Sequence, residues 1–105
     1  MSRSISVQQA ADLQKNGAVL VDVREPEEFE AVSAPGAILI PLSRIQCDGL
    51  NTFSTAGVDP QTEGLLIICR SGGRSGMVCD ALGDNAINVE GGMIAWQAAG
   101  LPINS

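Results

Sequence analysis

Residues Leu65–Gly76 read LLIICRSGGRSG. A short apolar run without polar alternation predicts a strand buried on both faces, as in a parallel sheet covered by helices. The run ends at a cysteine, and the next seven residues are two arginines, two serines and three glycines. Glycines let the backbone curl so that successive N–H groups point inward. A helix predicted from about Arg74 to Leu82, stopped by Gly83, aims its positive N-terminal end at the same place. Such a nest favours a negative charge at its centre. The nearest candidate is the sulfur of Cys69, so the nest, the helix end, Arg70 and Arg74 together predict a thiol that ionises easily. The plainer alternative is an inert buried cysteine that ends a core strand. Such a thiol has no need of a nest or of two arginines.

Working outward, AVLVDV (Ala18–Val23) is a second run of β-branched and apolar residues and predicts another strand buried on both faces. PGAILIP brackets a strand over Ala37–Ile40 between prolines, AINV predicts one over Ala86–Val89, and SIS (Ser4–Ser6) a short one at the start. Ser6 is placed to cap a helix over Val7–Lys15 that ends at Gly17. Pro26 suits the first turn of an acidic helix reaching Glu30. A last helix is predicted over Met93–Ala99, with a glycine stop at Gly100. Residues 41–63 are rich in turn and cap residues and predict short helical turns in a long connection.

Strands alternating with helices imply an α/β fold of three layers, α/β/α, around a central, mainly parallel five-stranded sheet. The length of 105 residues suits one domain, 1–105. Ligands of such sheets bind beyond the carboxyl ends of the strands, where Cys69 falls. Asp22 and Arg24 sit at the end of another strand, and bracing of the cysteine loop is the role expected of them.

Composition removes several chemistries. There is no histidine, so neither a Cys–His dyad nor a Ser–His–Asp triad can be assembled within this chain. The three cysteines, Cys47, Cys69 and Cys79, contain no C-x-x-C, which argues against zinc sites and thioredoxin-type exchange. No metal or cofactor is expected. A net charge of −6 disfavours nucleic acid and makes the arginine-bearing loop a preferred landing place for an anion. The acidic cluster Glu25, Glu27, Glu28 and Glu30 is expected to be a solvated helix face. With no apolar segment long enough for a membrane and no signal-peptide pattern at the N-terminus, a cytoplasmic protein that is a monomer or weak dimer is the expectation.

At this point CRSGGRS (Cys69–Ser75) resembles the active-site loop of the rhodanese family of sulfurtransferases. VDVREPEEFE (residues 21–30) is similar to the family's early strand and acidic helix, PGAILIPL (35–42) to its next strand, and VEGGMIAWQAAGLPI (89–103) to its C-terminal segment. One position departs: family members usually carry Gly-His-Ile before the Pro-Gly-Ala, where this chain has Val32, Ser33 and Ala34. Phosphatases of the dual-specificity cell-cycle type share the fold, but they place five residues between cysteine and arginine. Here Cys69 and Arg74 enclose four, which suits a sulfur atom better than a phosphoryl group.

The resemblance implies a rhodanese-like domain in which Cys69 is the nucleophile and carries a persulfide. Arg70, Ser71, Gly72, Gly73, Arg74 and Ser75 would bind substrate and persulfide, with Asp22 and Arg24 in support. The sulfur would come from a small anionic donor such as thiosulfate, or from a persulfide. It would pass to cyanide, to a thiol, or to a protein acceptor if the domain is a carrier or sensor rather than a fast enzyme. Cys79 and Trp96 are expected in the core. Cys47, in an irregular connection, is a candidate resolving thiol.

Overall fold

The computed structural model describes residues 3–105. In chain order the elements are β1 (Arg3–Ile5), α1 (Val7–Lys15), β2 (Leu20–Asp22), α2 (Pro26–Ala31), β3 (Ile38–Leu39) and α3 (Leu42–Asp48). They continue with α4 (Asn51–Thr55), β4 (Leu65–Ile68), α5 (Gly73–Leu82), β5 (Ala86–Val89) and α6 (Gly92–Ala98). The five strands form one sheet in the order β1-β5-β4-β2-β3, and all four pairings are parallel. This is the three-layer α/β arrangement predicted from the alternation of elements. The cysteine strand β4 lies at its centre.

Side-chain alternation along β4 explains both layers. Leu65 and Ile67 face one core with Ile45 of α3, Phe53 of α4, and Val78 and Cys79 of α5. Leu66 and Ile68 face the other, with Val7, Ala10 and Ala11 of α1 and Met93 and Trp96 of α6. All four β4 residues are fully buried, as an apolar strand without alternation requires. Trp96 is buried in the second core and donates its indole N–H to the Pro102 carbonyl at 2.8 Å. That bond draws the last residues across the domain, where Asn104 forms a two-hydrogen-bond bridge with Ser33.

Several boundaries differ from the sequence prediction. β2 and β3 are shorter than Ala18–Val23 and Ala37–Ile40, because β3 is an edge strand with one neighbour and only two of its residues enter the ladder. The chain still extends past both: Val23 N–H bonds the Ile68 carbonyl and Ile40 N–H bonds the Asp22 carbonyl. α5 and α6 each start one residue earlier than predicted, since a left-handed glycine, Gly72 or Gly91, supplies the cap. The connection after residue 41 contains two short helices, α3 and α4, where helical turns were predicted. Among the described residues no helix is long and apolar enough to cross a membrane.

Candidate active site

Cys69 follows β4 directly and is buried, its alternation continuing the Leu65 and Ile67 face. The chain then turns through Gly72, whose φ of +110° only glycine adopts without strain, into the first turn of α5. This turn brings the Gly72 N–H to 3.0 Å from Cys69 Sγ. The Ser75 hydroxyl, one helical turn on, is 3.2 Å from the same sulfur. Burial pushes the Cys69 thiol up. Against it work the Ser75 hydroxyl and the N–H groups of Ser75, Gly72 and Ser71, and together they bring the thiol below its ordinary value. Cys79, buried in α5 without such donors, moves the other way. Desolvation, with Asp80 and Cys69 nearby, pushes it up to about 12. The two cysteines, ten residues apart, thus shift in opposite directions, and of the two Cys69 is the one with hydrogen-bond donors on its sulfur. Cys47 is exposed on α3.

The two loop arginines separate. Arg74 places both terminal nitrogens on the Glu28 carboxylate, at 2.7 and 2.9 Å. This bidentate contact, assisted by the Glu25 N-cap region and opposed by partial burial, holds Glu28 down at about 2. Arg74 therefore straps α2 to α5, and its charge is already matched. Arg70 is exposed and has no salt-bridge partner among the described residues. The acidic face of α2 is likewise divided. Glu27 and Glu30 are solvated as expected, whereas Glu28 holds Arg74, and Glu25 accepts from the Ser43 hydroxyl at 2.8 Å.

Asp22 and Arg24 make no hydrogen bond or salt bridge to the cysteine loop, so the bracing expected from their position is not direct. They pair with each other, fully buried, at 2.7 Å. The remaining donors of Arg24 go to the carbonyls of Glu28, at 3.4 Å, and Val32, at 2.6 Å. A buried guanidinium must fill every donor, and the end of α2 supplies the nearest carbonyls. The pair thus fixes α2, and reaches the loop only through Glu28 and Arg74. Ser33, at the position of the usual family histidine, is buried and engaged through its backbone with Asn104.

Two further groups in the site escaped the sequence reading. Met93 and Ile94 N–H groups, at the start of α6, donate to the Cys69 and Arg70 carbonyls at 2.8 and 3.1 Å. That approach requires Gly92, where a Cβ would lie 2.3 Å from the Cys69 oxygen and 2.5 Å from the Arg70 oxygen. The double glycine at residues 91–92 was a legible signal, but it reads as an ordinary turn until α6 is known to abut the loop. The second is Asn88 on β5, which bonds both Ser75 and Gly72. A lone amide in the apolar strand AINV was the available clue.

A pocket of about 380 Å³ opens beside the loop, lined by Arg24, Glu28, Val32, Arg70, Met93 and Ile94 among others. A larger groove of about 540 Å³, between β3 and helices α3 and α4, includes no residue of the cysteine loop. Arg70 is the cysteine-loop residue that lines the smaller pocket.

A buried cysteine in a backbone nest after the central strand of a parallel sheet is the arrangement expected of a rhodanese-like domain, and comparison with known proteins agrees on the family. The model of the rhodanese-like domain matches residues 6–99, and the chain belongs to that family. It is 34% identical over 108 residues to thiosulfate sulfurtransferase 16, chloroplastic, of Arabidopsis thaliana, covering 94% of this chain and 90% of that protein. It is 38% identical over 95 residues to an uncharacterized protein of Synechocystis, covering 85% of this chain but 48% of that protein, about half its length. A crystal structure of a rhodanese-like domain protein from Staphylococcus aureus superposes with a TM-score of 0.75 at 36% identity, covering 98% of this chain and 99% of that one.

Proposed function

We propose that this rhodanese-like domain transfers sulfane sulfur through a persulfide on Cys69, with thiosulfate or a persulfide as donor and cyanide or a thiol as acceptor. The observation that carries the reading is the placement of Cys69 Sγ against the Gly72 N–H and Ser75 hydroxyl, which favours the sulfur anion without any acid or base of its own. The thiolate attacks the outer sulfur of thiosulfate. An S–S bond forms to Cys69, the S–S bond of the donor breaks, and sulfite leaves with the electron pair. Sulfite needs no proton to depart, which suits a chain without histidine. In the second half, cyanide or a thiolate attacks the outer sulfur, forming thiocyanate or a new persulfide and returning the Cys69 thiolate. Charge and atoms balance in both halves.

With Arg74 held by Glu28, recruitment of the donor anion falls to Arg70. The test is the intact mass of the protein after incubation with thiosulfate. One sulfur atom should be added, and Cys69→Ser should abolish the addition. Arg70→Ala should need at least about tenfold more thiosulfate for the same loading, since a charge-assisted contact contributes about 1.5–3 kcal/mol. Sulfur retained by Cys69→Ser and located on Cys47 would overturn the assignment.

A further inference from the structure

Asn88 is a polar residue in an apolar strand. Its neighbours Ile87 and Val89 face the core shared with α1 and α6, and Ala86 faces the core shared with α5. By alternation Asn88 points to the α5 side, and its amide sits directly beneath the cysteine loop. Nδ2 donates to the Gly72 carbonyl at 3.2 Å, and Oδ1 accepts from the Ser75 hydroxyl at 2.5 Å. The amide orientation follows from its partners, since the reverse would set Oδ1 against the Gly72 oxygen. A Cβ on Gly76 of α5 would lie at ordinary contact distance from Nδ2, 3.5 Å, so the first turn of α5 sits over this side chain.

We propose that Asn88 is a positioning residue for the cysteine nucleophile, holding the Gly72 peptide and the Ser75 hydroxyl in register with Cys69 Sγ. The Gly72 peptide is doubly used, its N–H on the sulfur and its carbonyl on Asn88. Ser75 has one proton and two acceptors within reach, Cys69 Sγ and Asn88 Oδ1. The Ser75 hydroxyl donates to Asn88 Oδ1 while Cys69 is neutral and turns to donate to the sulfur when Cys69 ionises. A neutral amide suits this exchange because it accepts weakly enough to let the hydroxyl turn away and also donates to the Gly72 carbonyl. A carboxylate does neither, and adds a negative charge beside the sulfur anion. The other titratable groups facing Cys69 are Arg74 and Cys79 of α5. Arg70 is its chain neighbour, and Glu28 of α2 acts through Arg74.

The experiment measures the rate of Cys69 alkylation by iodoacetamide against pH, in a Cys47→Ser background that leaves buried Cys79 as the only other thiol. Asn88→Asp, nearly isosteric, should slow alkylation at neutral pH by roughly tenfold and move the midpoint to higher pH, the change expected when a thiolate acquires a nearby like charge. In a Ser75→Ala background the same substitution should shift the midpoint by less, because the shared proton is gone. Asn88→Ala covers the case in which Asn88→Asp does not fold. It should lower kcat for sulfur loading by about fivefold at unchanged thiosulfate KM, as a positioning effect does. An alkylation profile identical to the parent in Asn88→Asp, or a loss in Asn88→Ala confined to KM, would overturn the proposal. Alkylation needs no sulfur donor, so its outcome stands apart from that of the sulfurtransferase reading.

Discussion

On the side of α5 and α6, the cysteine loop is held by neutral groups: the Gly72 N–H on the sulfur, the Met93 and Ile94 N–H groups on the carbonyls of Cys69 and Arg70, and the Ser75 hydroxyl and Asn88 amide. On the side of α2, the same site is held by charge: the buried Asp22–Arg24 pair and the half-buried Glu28–Arg74 pair. Neutral contacts carry no net charge for salt to screen, and among these groups only the Cys69 sulfur titrates. The partly exposed Glu28–Arg74 pair responds to both salt and pH. The wall that defines the nucleophile is therefore the inflexible one, and the wall facing the α2 side of the pocket is the adjustable one.

The largest effect that would break this contrast is at residue 92. Gly92→Ala puts a Cβ into two backbone oxygens at a φ of +55°, where no side-chain rotation relieves the clash. We expect a loss of at least about 5 kcal/mol by chemical denaturation, most of the stability of a small domain. Gly73→Ala, in the same loop but with nothing within 4 Å of the added Cβ, should be close to neutral. Equal costs at the two positions would mean that the α6 contact is not what holds the loop.

On the charged side, Asp22→Asn leaves the Arg24 guanidinium buried without its carboxylate and should cost about 3 kcal/mol. Because Arg24 bonds α2 and not the loop, the alkylation rate of Cys69 in the folded variant should change little. A large fall in that rate would show that the two walls are coupled.

The smallest effect is at Glu28. Its folded value of about 2 lies below the ordinary carboxyl value of 4.5, so its stabilisation is complete above pH 4.5 and is lost as pH falls toward 2. Glu28→Gln should cost about 1 kcal/mol at neutral pH, a partly exposed pair being worth little more. The difference from the parent should shrink between pH 4.5 and 2, and also in high salt. A pH-independent difference would mean that packing, not charge, is what Glu28 supplies.

Much of this molecule was legible in its sequence, for reasons that differ by region. β4 could be read because a strand buried on both faces has no polar position to confuse its pattern, and the glycine-rich turn after Cys69 is a local signal for a local structure. The Glu28–Arg74 strap was only half legible. An arginine at a helix N-terminus opposes the helix dipole and favours a carboxylate partner, but 46 residues separate Arg74 from Glu28, and nothing local chooses among the four glutamates of residues 25–30. Asp22 and Arg24 were placed at the correct end of the sheet but given the wrong neighbour. Strand position locates a side chain to within a few ångströms, whereas the direction of a long guanidinium depends on which carbonyls lie free. Gly92 and Asn88 were hidden for the same reason: each acts on a loop brought beside it only by strand order β5-β4.

The clamp between α6 and the cysteine loop also has a consequence for observing the site in solution. Amides in the first turn of a helix ordinarily have no partner and exchange readily with deuterium. Those of Met93 and Ile94 are bonded to the carbonyls of the two residues that bear the loop's sulfur and its exposed cation, Cys69 and Arg70. Their exchange rates therefore read the opening of the active-site loop itself, at two positions that bear no catalytic side chain and carry no label.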